Sequence, residues 1–166
     1  MPDYRKELEQ FIEDMNNAPG DYPERFQQIS DRINNAEKAI VDAEKLGEVP
    51  APLREERNAA LSCGTKEARA FRQAKAAVLE KHGIPVPKDY FSCFPCSPIS
   101  DYEGDVIDRE EIVNKSKVKL YTFSEHGRHN LNYKIFTLSL KDGAWRIVKV
   151  RHLYDPETGK DEAMDW

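Results

Sequence analysis

Three groups of residues in this chain are of types that do chemistry. Cys93-x-x-Cys96 has the spacing of a redox or zinc pair. A redox pair needs its thiol at a helix N-terminus, which lowers the thiol pKa. Here Pro95 and Pro98 stand around the pair, in a Pro- and Ser-rich stretch. Zinc would need two further ligands. His126 and His129 are the histidines that lie close together, and their two-residue gap is shorter than the usual three to five. The cysteines are therefore read as small apolar loop residues, with no metal and no cofactor expected. His152, with Asp105, Asp108 or Tyr154, has the types of an acid–base set, but a general base must lie within hydrogen-bond reach of its target. The sequence holds no Gly-rich phosphate loop, Gly-x-Ser-x-Gly elbow or His-Glu-x-x-His pair.

The third group is a run of acids, Asp101, Glu103, Asp105, Asp108, Glu110 and Glu111, within eleven residues. A calcium loop would want spaced ligands, a turning Gly and a final Glu. Asp101-Tyr102-Glu103-Gly104-Asp105 has fragments of that pattern and not the whole. Recognition of a basic partner through complementary fields is the role expected of these six residues.

The elements that must position them are legible from periodicity. Tyr4, Leu8, Phe11, Ile12 and Met15 form one helical stripe over 3–15, with Asp3 as N-cap and Asn16-Asn17-Ala18-Pro19-Gly20 as the stop. A second helix over 23–46 starts at Pro23 and ends before Gly47, with a seam of Phe26, Ile29, Ile33, Ala36, Ile40 and Ala43. Glu48-Val49-Pro50-Ala51-Pro52 is a short connector, and a third helix follows it to about His82. Ala60, Gly64 and Ala68 give it a nearly bare face, so helices two and three read as an antiparallel hairpin. A break near Ser62-Cys63-Gly64-Thr65 is open at this stage, since Gly costs about 1 kcal/mol relative to Ala inside a helix. Strands are expected over 106–113, 118–123, 130–140 and 144–154. The last two are joined at Lys141-Asp142-Gly143, a strong hairpin signal. Strict alternation places Lys134, Phe136, Leu138 and Leu140 on one face. Beyond the turn it sets Trp145, Ile147, Lys149 and Arg151 against Arg146, Val148, Val150 and His152.

The fold class that follows is α+β, one domain over 1–166. Its parts are a helical region over 1–83 with a hairpin over 23–82, a Pro-rich loop over 84–105, an antiparallel four-stranded sheet over 106–154 and a polar tail over 155–166. The net charge is −5, with 33% charged and 39% hydrophobic residues. It is unevenly spread, at −6 over 1–49 and −5 over 91–113 against +3 over 50–90 and +3 over 114–166. Acidic blocks argue against nucleic acid as the main ligand. No apolar run approaches the roughly 18–20 residues of a membrane span, and the charged N-terminus lacks an apolar leader core, so a cytoplasmic address is expected. Three cysteines do not make a disulfide scaffold.

Helices followed by antiparallel strands closing on Asp142-Gly143-x-Trp145 are similar to the nuclear transport factor 2-like fold, in which a curved sheet wraps a helix into a cone. Ser97-Pro98-Ile99-Ser100-Asp101-Tyr102, the acidic run to Ile112, Lys117–Thr122, Tyr133–Leu140 and Lys141-Asp142-Gly143-Ala144-Trp145-Arg146-Ile147 resemble the cone-fold immunity proteins of bacterial polymorphic toxin systems. The resemblance implies a stoichiometric antidote without catalysis, whose partner is a cognate toxin domain. The helical hairpin is longer than that fold requires. The alternatives are a small cone-fold isomerase or dehydratase working through His152 and a carboxylate, and an adaptor acting through the hairpin.

Overall fold

The computed structural model describes residues 3–86, 102–125, 133–155, 158 and 160–163, with the side chains of 152–155 and 161–163 outside that description. Cys93, Cys96, Asp101, His126, His129, Trp166 and the His152 side chain therefore lie outside the described residues.

Helix α1 spans Tyr4–Asn17, and Asp3 caps it by accepting a hydrogen bond from the Arg5 amide. Its stripe of Leu8, Phe11, Ile12 and Met15 is buried, as the periodicity expects. Helix α2 (Tyr22–Lys45) carries a Pro in its first turn. Helix α3 (Ala51–Lys81) is continuous, so no break occurs near Gly64. Thr65 donates its hydroxyl back to the Leu61 carbonyl at 3.0 Å instead of capping a new helix. Gly64 is buried between Ala60 and Ala68, where a bare surface lets the two helices approach closely.

Helices α2 and α3 form the expected antiparallel hairpin, with ion pairs Arg25–Glu67, Arg32–Glu56 and Arg54–Glu44 along it. These pairs are largely exposed and each stabilises by at most about 1 kcal/mol. The hairpin has its own small core, in which Tyr22 stacks on Phe71 at 4.4 Å with Phe26 beside them. The last turns of α3 reach the main core through Ala76 and Leu79.

The sheet is an open antiparallel meander in the order β1-β2-β3-β4-β5. Its strands are β1 (Val106–Asn114), β2 (Lys117–Phe123), β3 (Tyr133–Lys141), β4 (Ala144–Asp155) and β5 (Lys160–Ala163). The sequence places the fifth strand in a polar tail over 155–166. It lacks an apolar alternation and is made by backbone pairing with β4. The β3–β4 turn is the two-residue Asp142-Gly143 loop, with both residues at positive φ. Val118, Leu120, Phe136, Leu138, Trp145, Ile147 and Val150 point to the helices and pack with the α1 stripe. Trp145, Ile147 and Val150 share that side because Val148 is a bulge: Leu138 pairs with Ile147 while Thr137 pairs with Lys149. The alternation assumed for β4 is thereby corrected. Lys149 and Arg151 face away from Trp145 and Ile147, and Val150 is core.

Candidate functional site

The acidic run divides among three environments. Asp105 sits where the chain enters β1, and its side chain is fully buried. One carboxylate oxygen accepts from Lys134 Nζ at 2.8 Å and the other from Thr122 Oγ1 at 3.1 Å. Lys134 is equally buried, with its ammonium 5.6 Å from the centre of the Tyr102 ring. Alternation already placed Lys134 on the apolar face of β3, and a lysine among Phe136 and Leu138 was the signal for an internal counter-charge. Its partner could not be read from sequence. A buried carboxylate already held by an ammonium and a hydroxyl is a structural strut, so the expectation that Asp105 meets a partner at the surface is corrected.

Glu110 points to the helix side of β1 and ties it to α1, accepting from Arg5 at 2.5 Å and from the Tyr4 hydroxyl at 3.4 Å. Glu111 points to the other side, where Tyr121 and Lys119 donate to it at 2.8 and 3.1 Å. The Tyr121 hydrogen bond and then that of Lys119 hold the Glu111 carboxyl below its ordinary range. The hydrogen bond to Glu111 raises the Lys119 ammonium in turn. Glu103 and Asp108 are exposed and make no ion pair with a described residue. Asp101 lies outside the described residues.

Beside the start of β1 lies a cleft of about 470 Å³, walled by Glu9, Ile12, Glu13 and Asn16 of α1 and by Asp105, Val106 and Ile107. Asn16 donates its amide to the Tyr102 carbonyl at 3.2 Å, while its buried Oδ1 has no hydrogen-bond partner among the described residues. Among the described residues strand β1 is an edge of the sheet that pairs with β2 alone, and Val106, Ile112 and Val113 are exposed by 61%, 68% and 44%. An edge strand with large apolar side chains in water is a template for added backbone pairing.

A second charged cluster was not anticipated. His82 is buried at the end of α3 with Nδ1 2.9 Å from Glu7 and Nε2 2.8 Å from Asp14, and Lys81 also reaches Asp14 at 2.6 Å. The His82 ring edges onto Phe11 at 5.3 Å. This cluster locks α3 to α1. Burial pulls the Asp14 carboxyl upward, and hydrogen bonds from Lys81, His82 and Gln10 outweigh it, so its pKa lies below the ordinary value.

The sheet face turned away from the helices is ordered by register. At one end Val106, Phe123 and Tyr133 align, with Phe123 and Tyr133 rings 4.8 Å apart. The next row is Arg109, Tyr121, Ile135 and Arg151, with the Arg109 guanidinium 3.9 Å from the centre of the Tyr121 ring. Beyond it come Glu111, Lys119, Thr137 and Lys149. Among the described residues no element packs on this face, and no group of three or more His, Cys, Asp and Glu side chains is placed to hold a metal ion. No described helix is long and apolar enough to cross a membrane.

No protein-family model, no curated protein and no solved structure matches this chain.

Proposed function

We infer that the protein is a stoichiometric inhibitor of the immunity type, which binds and neutralises a cognate bacterial toxin domain through the β1 side of the sheet. The observation that carries this reading is the open edge of β1. Among the described residues its outer backbone groups have no strand partner, and exposed Val106 and Ile112 lie beside a cleft rich in acceptors. Glu9 and Glu13 on its rim and the unmatched Oδ1 of Asn16 suit a lysine or arginine side chain of a basic partner. Glu103 and Asp108 extend the same field outward, which speeds association and makes it salt-sensitive. A strand laid along β1 would gain main-chain hydrogen bonds for affinity and side-chain contacts for selectivity. The resemblance of 97–147 to immunity proteins supplies the toxin as the partner.

The test is co-expression with the toxin domain encoded beside this chain, followed by isothermal titration. A one-to-one complex that restores growth is expected. Ile112→Asp, which puts a charge at an exposed apolar edge position, should weaken that complex at least about tenfold with the fold intact. Failure to bind the adjacent toxin domain removes the reading.

A further inference from the structure

We propose that the outer face of the sheet is a second docking surface, for an acidic polypeptide segment that carries an apolar anchor. The chain is acidic overall at −5, yet among the described side chains Arg109, Lys117, Lys119, Lys149 and Arg151 share this face with the carboxylate of Glu111. Such segregation is invisible in sequence, because the five cations come from three strands and meet only through register.

The cations are not all committed elsewhere. Lys149 is exposed and makes no ion pair with a described residue. Lys117 is likewise exposed, and Lys119 pairs with Glu111. A field of this sign favours a negative partner and repels a basic one. At the other end of the face Phe123 and Tyr133 make an apolar shelf. The surface thus has a place for carboxylates and, beside it, a place for one large apolar side chain.

Its geometry favours a polypeptide over a polynucleotide. Base stacking needs an open ring face. The Arg109 guanidinium already covers Tyr121, and Phe123 and Tyr133 lean on each other at 46°. The net charge of −5 also opposes the long-range capture of a polyanion, for which a strongly basic domain is the usual footprint. A short acidic segment needs only the local field.

The probe is a fluorescein-labelled, glutamate-rich peptide with a central phenylalanine, titrated with the full chain by fluorescence anisotropy, with labelled oligo-dT alongside. The peptide should bind, release as salt rises, and lose about tenfold in affinity with Lys149→Glu. Lys149→Ala, which adds no repulsion, should show a smaller loss. Circular dichroism melts confirm that both variants are folded. Ile112→Asp should leave peptide binding unchanged while it weakens the toxin complex, so this surface and the inhibitor reading fail separately. Equal affinity of Lys149→Glu and the parent chain for the peptide would overturn the proposal. Tighter binding of oligo-dT would overturn it in favour of nucleic acid. Self-association abolished by Lys149→Glu would overturn it in favour of a second copy of this chain.

Discussion

Lys134 and Asp105 are a fully buried ion pair at 2.8 Å, and removing one member should be far worse than removing both. Lys134→Met keeps the length of the chain and deletes the charge. The Asp105 carboxylate then stays buried without its ammonium counter-charge, while Thr122 still donates to it at 3.1 Å. Breaking a buried pair in this way costs about 3–5 kcal/mol. With a urea slope of about 2 kcal/mol per molar, the unfolding midpoint should fall by about 1.5–2.5 M. Asp105→Leu should cost a similar amount, because it takes the carboxylate counter-charge from a fully buried ammonium. The triple variant Lys134→Met, Asp105→Leu, Thr122→Val removes both charges and the hydroxyl that bonds them. Its unfolding free energy should return to within about 1 kcal/mol of the parent protein, since apolar replacement of a whole buried pair is often neutral or stabilising. Urea denaturation followed by tryptophan fluorescence and far-UV circular dichroism measures all four proteins. A Lys134→Met cost below about 1 kcal/mol would refute the reasoning, as would a triple variant whose loss equals the sum of the singles.

Stability should also fall in acid through the α1–α3 lock. A carboxyl whose folded pKa lies below its unfolded one stabilises the fold above the unfolded value, here 3.8, and that contribution disappears as pH drops through the folded pKa. Thermal melts from neutral pH downward should therefore lose midpoint temperature from about pH 4, and Asp14→Asn should flatten that limb; an identical slope in the variant would remove Asp14 from the account. Ala60 is completely buried on the small-residue face of α3, so Ala60→Leu should overpack the hairpin and cost about 1–3 kcal/mol in urea unfolding. The exposed neighbour change Ala59→Leu is the control and should stay within about 0.5 kcal/mol of the parent.

Several features were legible because their causes are local. The stripe of α1 follows from the 3.6-residue period, and its Asp3 cap needs only the amide two residues on. The β3–β4 hairpin follows from two residues that tolerate positive φ, Asp142 and Gly143. The α2–α3 hairpin follows from small residues four apart and from a connector of prolines. Continuity of α3 was not legible: Gly64 weakens the helix locally, and the packing of α2 on that bare face overrides the local cost.

What the sequence by itself determined is the α+β class, the element order, the inward stripe of α1 and the presence of a lysine on the core face of β3. What only the tertiary structure decided is which groups meet. Six acids close together in the chain scatter to a buried strut at Asp105, a clamp at Glu110, an outer-face pair at Glu111, and exposed Glu103 and Asp108. Five cations far apart in the chain gather on one face through strand register. The bulge at Val148 reverses which side of β4 carries Lys149, and a polar tail becomes a strand by pairing with β4. Periodicity is a property of neighbours along the chain. Register, bulges and ion-pair partners are settled by contacts between residues that the chain itself keeps far apart.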